Sequence, residues 1–184
     1  MVSGSHANYL IYDKVTKELE RFEPHGGTTP MGFNYNSQYL DEILIDYFTS
    51  ISQEIIYISP GKYIPKIGFQ IMDTQEENRT RIGDPGGFCA LWSIWYVDQR
   101  LSYFTYDRKK LIKYLFSNIK AHGISYRNLI RNYARTIIKQ RDTLLKMVGI
   151  DINDWLNDNY THNQSDALIG HLVAEINTCC TAKS

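Results

Sequence analysis

Apolar and polar positions first alternate along this chain and then settle into helical periodicity. Asn8 to Asp13 (NYLIYD) is short and rich in tyrosine and aliphatic residues, and it predicts a strand. Lys14 to Lys17 is a polar turn. Glu18 to Glu23 (ELERFE) alternates and predicts the return strand of a hairpin, ended by Pro24-His25-Gly26-Gly27. Asn36 or Ser37 caps a predicted helix that runs to about Ser50, with Leu40, Ile43, Leu44, Tyr47 and Phe48 facing inward. Glu54 to Ile58 (EIIYI) reads as a strand stopped by Pro60. Ile64 to Met72, with its IGFQIM run, is a further candidate strand, and Asp73 to Asp84 is a polar loop.

Helical spacing dominates afterwards. Phe88, Leu91, Trp92 and Trp95 recur at i, i+3, i+4 and i+7, the buried face of a helix that runs to about Leu101. Tyr106 to Ala121 is amphipathic and ends at Gly123. Ser125 opens a helix that continues to about Val148 and stops at Gly149. A short helix over Asp151 to Asn157 and a last one from about Ser165 to Asn177 follow. Strands come first and helices last, which predicts an α+β fold: a small N-terminal mixed or antiparallel sheet packed by helices, with a helical C-terminal half. The expected organisation is a single domain over 1–184, with the sheet and candidate chemistry in 1–104 and a helical subdomain in 105–184.

Composition refines this picture. Hydrophobic content of 43% supports a packed core, and the net charge is zero. The charge is uneven, however. Asp107 to Lys146 holds 11 Lys and Arg against 2 Asp and Glu, leaving the remainder acidic. The cysteines Cys89, Cys179 and Cys180 form no disulfide framework, and no stretch is long and apolar enough for a transmembrane helix. Met1 to Ala7 lacks the character of a signal peptide. An intracellular, reducing setting is therefore expected, with no membrane partner. No CxxC, HExxH or phosphate-loop spacing occurs, so neither metal nor cofactor is expected.

Cys89 is the leading candidate for chemistry. Gly83-Asp84-Pro85-Gly86-Gly87 turns into the helix that it opens, and free N–H groups at a helix start favour a thiolate. A thiol nucleophile needs a base and an orienting group. His25 sits in a Pro-Gly turn, His122 at a helix end, His162 in a polar loop and His171 in a late helix. His6 stands immediately before the first strand, where its geometry can be held. Glu23, at the end of the return strand, can lie beside it and fix its tautomer. The alternative is an exposed terminal histidine, a solvated glutamate and an ordinary buried cysteine.

The pieces His6-Ala7-Asn8-Tyr9-Leu10-Ile11, Arg21-Phe22-Glu23-Pro24, Gly68-Phe69-Gln70 and Gly86-Gly87-Phe88-Cys89 resemble, in their order, the adenovirus-type cysteine protease clan, which includes the SUMO-specific proteases. The chain also resembles uncharacterised giant DNA virus proteins with similar HAN, RFEPHG, KIGFQ and DPGGFCALW stretches. The clan resemblance implies a cysteine protease, or thiol hydrolase, that cleaves a ubiquitin-like conjugate or a viral polyprotein. Cys89 would be its nucleophile, His6 its base, Glu23 the orienting acid and Gln70 an oxyanion donor. Gln70 stands farther before Cys89 than the clan's spacing. If the chain is viral, the resemblance implies host cytoplasm or virion.

A second expectation comes from the basic half. Arg127, Arg131 and Arg135, extended by Lys139, form one helical stripe with Tyr126 and Tyr133 interleaved. Basic and aromatic side chains together suit nucleic acid or an acidic partner. This is the alternative function: a non-enzymatic virion or binding protein with a degenerate protease-like fold.

Overall fold

The computed structural model of the protein describes residues 6–28, 36–72 and 88–181. Its contacts fall into two units, Met1–Arg131 and Asn132–Ser184. The first unit holds the sheet. Strands β1 (Tyr9–Asp13) and β2 (Glu18–Phe22) form an antiparallel hairpin, with Tyr9 opposite Phe22 and Asp13 opposite Glu18. The turn closes because Asp13 Oδ1 accepts hydrogen bonds from the N–H groups of Val15 (2.8 Å) and Thr16 (3.2 Å). Strand β3 (Ile56–Ile58) runs parallel to β2, giving a mixed sheet of order β1-β2-β3. The fold is α+β, as the order of elements predicts.

The central strand β2 is buried on both faces, and its side chains alternate between them. Glu20 and Phe22 face α2 (Cys89–Ser102). The Phe22 ring stacks on Tyr96 at 4.0 Å, and Glu20 accepts from the Tyr96 hydroxyl at 3.0 Å and from Arg100 Nε at 3.2 Å. Arg108, in the first turn of α3 (Arg108–Ala121), binds the same carboxylate. Arg21 points the other way. Its Nε donates to Asp41 at 2.8 Å and to Tyr57 at 3.1 Å. Charges buried at this depth are tolerated only when paired and hydrogen-bonded, and both conditions are met.

Helix α1 (Ser37–Ile51) begins as expected, with Asn36 accepting from the N–H groups of Gln38 and Tyr39. Its expected inward face is only partly covered. Leu40, Leu44 and Phe48 are half-buried, whereas Ile43 and Tyr47 are exposed. The candidate strand at 64–72 also needs correction. A 3-10 turn over Pro60–Lys62 precedes it and a helical turn occupies 69–72. Its backbone is instead pinned to the turn after β2. Gly27 N–H donates to Pro65 O (2.8 Å), Gly68 N–H to His25 O (2.7 Å) and Gln70 N–H to Pro24 O (3.0 Å). The expected loop over Asp73 to Asp84, and the glycines before Cys89, lie outside the described residues.

The core of this unit is aromatic. Trp92 and Phe69 are fully buried, Phe69 stacks on Phe116 at 4.3 Å, and Trp92 meets Trp95 edge-on at 5.3 Å. Helix α4 (Tyr126–Met147) starts at the hydroxyl of Ser125, which accepts from Asn128 N–H. Within the second unit, Gly149 ends α4 at φ +68°. Helices α5 (Ile152–Leu156) and α6 (His162–Thr181) follow. The Gln164 side chain ties the start of α6 to Gly149 O at 2.8 Å. His162, expected in a loop, is the first residue of α6.

Candidate functional site

Three separated stretches meet at the end of the hairpin. Register carries the chain from Tyr9 opposite Phe22 out to His6, so that its ring reaches Glu23. His6 Nε2 lies 2.7 Å from Glu23 Oε1, and both side chains are almost wholly buried. Cys89, the first residue of α2, packs against the same segment, where the Ala7 N–H donates to its Sγ at 3.3 Å. His6 and Cys89 are also near enough for each to shift the other's titration. An imidazolium carries two N–H donors and can serve both partners at once. Of the four predicted site residues, the structure thus joins His6, Glu23 and Cys89. Gln70 is brought to the adjacent turn, where its backbone N–H donates to Pro24 O.

The electrostatics follow from that chain of contacts. Burial works against a charged His6, but hydrogen bonds to Cys89 and Glu23 outweigh it and raise its pKa to about 9. Burial likewise works against an ionised Glu23. Hydrogen bonds from His25 and then His6 overcome it and hold the carboxyl at about 2. The His6 hydrogen bond lowers the Cys89 thiol, with help from the Ala7 and Ala90 N–H groups, against an opposing effect of burial. The proton is therefore drawn towards His6, and the thiolate is favoured over that of a free cysteine.

One contributor is a residue that sequence reasoning set aside. His25 stacks on His6 with ring centroids 4.8 Å apart, and its backbone N–H donates to Glu23 Oε1 at 3.0 Å. Its position two residues after Glu23, in a glycine turn, was the available signal. The turn needs close backbone approach. A Cβ on Gly26 would lie 2.3 Å from Lys66 O, and one on Gly68 2.4 Å from Pro24 O. Gly26 also takes φ +127°, a conformation that disfavours side chains. The donor atoms of His6, Glu23 and His25 lie within 4.8 Å of one another, so these three could in principle ligate a cation. No metal-ligand spacing betrays them, because they come from two stretches of chain.

The basic stripe occupies α4. The Arg131 guanidinium lies 5.9 Å from the Phe88 ring centroid, and Arg135 Nη1 donates to Asn132 Oδ1 at 2.8 Å. Among the described residues, no helix is long and apolar enough to cross a membrane.

No family model matches this chain, and no solved structure matches it. The chain is similar to a protein of Acanthamoeba polyphaga mimivirus that carries the provisional name of an ankyrin repeat protein. The two are 44% identical over 179 residues, covering 93% of this chain and 23% of the relative. The chain thus spans about a quarter of the relative's length. The giant-virus resemblance agrees with this finding. The expected membership of the adenovirus-type and SUMO-specific protease clan does not, and it is corrected: the similarity found leads to an ankyrin repeat protein and to no protease. The same finding overturns the expected function as a cysteine protease or thiol hydrolase. Short motifs in the right order had suggested that function, whereas similarity along nearly the whole chain is to a protein named for ankyrin repeats.

Proposed function

We propose that this chain is a protein-interaction module that presents a reactive thiolate. One observation carries the reading: buried His6 pairs with Glu23 at 2.7 Å beside Cys89, whose sulfur accepts from the neighbouring Ala7 N–H. Such an arrangement is costly to bury and has an obvious chemical use. The interaction half is supported by the mimivirus relative, because ankyrin repeats stack into extended binding surfaces. On this reading, Cys89 is the nucleophile and His6 its proton partner. Glu23 holds the imidazolium, and Gln70 borders the site. The setting is the reducing interior of an infected cell or virion, where a thiolate survives.

Alkylation by iodoacetamide tests this in a Cys179→Ser/Cys180→Ser background, so that Cys89 is the sole thiol. The Cys89 rate is expected to stay high well below the ordinary thiol range of about 8.5 and to fall in His6→Ala. A rate that follows an ordinary thiol titration in both proteins would sink the reading.

A further inference from the structure

A second feature of the first unit is unrelated to Cys89. Two recesses, each of about 550 Å³, lie side by side and share Phe116 and Ser117. One continuous stripe of α3 lines them both. Lys109, Ile112, Lys113, Phe116, Ser117 and Lys120 recur at i, i+3, i+4, i+7, i+8 and i+11, which places them on one helix face. The stripe spans about 16 Å at 1.5 Å per residue, the reach of about five residues of extended chain.

The chemistry of the face is consistent along its length. The floor is apolar, built on buried Ile112 and Ile119 and half-buried Phe116. The rim is cationic: Lys109, Lys113 and Lys120 are exposed, and Lys62 closes the far side. Among the described residues, no carboxylate lines either recess, and Lys109, Lys113 and Lys120 make no ion pair. The described residues thus form a cationic rim over an apolar trough.

We infer that this groove binds an acidic, extended peptide segment of a partner protein, with its large apolar side chains in the two recesses and its carboxylates on the lysine rim. This rests on the protein-interaction half of the proposed reading and names its surface and the kind of partner. Nucleic acid fits less well. One face of the Phe116 ring is already taken by Phe69, and the other aromatic lining residues, Tyr63 and Tyr126, are buried, whereas stacked bases need open aromatic faces. Lysines on apolar stems also suit a groove that buries a peptide's side chains.

The test is selection of random displayed peptides on the full chain, followed by fluorescence anisotropy with the enriched peptide. The enriched sequences are expected to be net acidic with two or more aromatic or aliphatic residues. Binding is expected to weaken roughly tenfold or more in Lys109→Glu/Lys113→Glu/Lys120→Glu, and in Ser117→Trp, which fills the shared centre without changing charge. All four positions are exposed, and circular dichroism checks that the variants fold. Neutral or basic peptides, or binding indifferent to both variants, would overturn the groove while leaving an interaction module elsewhere. Displacement of the peptide by an equimolar single-stranded oligonucleotide would overturn it in favour of a polyanion site. No enrichment at all would overturn both the groove and the interaction reading, while Cys89 alkylation reports on the thiolate separately.

Discussion

At the scale of single residues, the site turns on which atom holds one proton. His6 lies between a carboxylate held ionised and a thiol whose pKa is lowered. Glu23 is what makes this possible, since an uncompensated imidazolium is costly at such burial. Glu23→Gln keeps the shape and removes the charge. The proton is then expected to return towards sulfur, and Cys89 alkylation at neutral pH to slow by about tenfold, while alkylation above the thiol's ordinary pKa is unchanged. Comparing the two pH regimes separates this from a collapse of the site, which would alter both. His25→Phe preserves ring stacking on His6 and the backbone donor to Glu23. It removes the imidazole that most lowers the Glu23 carboxyl, so slower alkylation is expected in the same assay, by less than in Glu23→Gln; an unchanged rate would assign His25's contribution to its backbone donor.

At the scale of elements, the site depends on two backbones that touch. The turn after β2 carries Glu23 and His25, and the segment before Gln70 braces it through Gly26 and Gly68. Gly68→Ala inserts a methyl against Pro24 O, and overpacking of this kind costs about 1–3 kcal/mol. A lower urea midpoint and slower Cys89 alkylation are expected together, because the turn that moves is the one holding Glu23. Stability lost with reactivity intact would show that the brace does not position the site. The hairpin, its turn and the helices from Cys89 onward were legible in the sequence, since alternation and i, i+3, i+4 spacing report which face is buried. The 64–72 segment was not. Its apolar run satisfies strand periodicity, but its hydrogen bonds go to a turn rather than to a strand edge, which periodicity does not encode. Helix α1 misled differently: apolar residues at helical spacing show that a face exists, not that anything covers it.

At the scale of the molecule, order along the chain suggested the meeting of His6, Glu23 and Cys89, but it also suggested a family that similarity along the chain does not support. Spacing conveys proximity, whereas the identity of the reaction depends on what binds beside the thiol. The buried pair does have a consequence for the whole fold. Glu23 has an ordinary carboxyl pKa of 4.5 when unfolded and about 2 when folded. The unfolded chain therefore binds more protons, and stability falls as pH drops from 4.5 towards 2. His6 runs oppositely: raised from 6.5 to about 9, it stabilises fully below 6.5 and loses that contribution as pH rises to 9. The lowered Cys89 thiol counters that alkaline limb, so the acid limb is the clean reading. Urea unfolding at pH 5.5 and 3 should show a loss on acidification that is smaller in Glu23→Gln by up to about 2 kcal/mol, the part of the linkage of its shift that falls in this window. Equal losses in the two proteins would mean that Glu23 titrates normally in the folded chain and that the ion pair does not form.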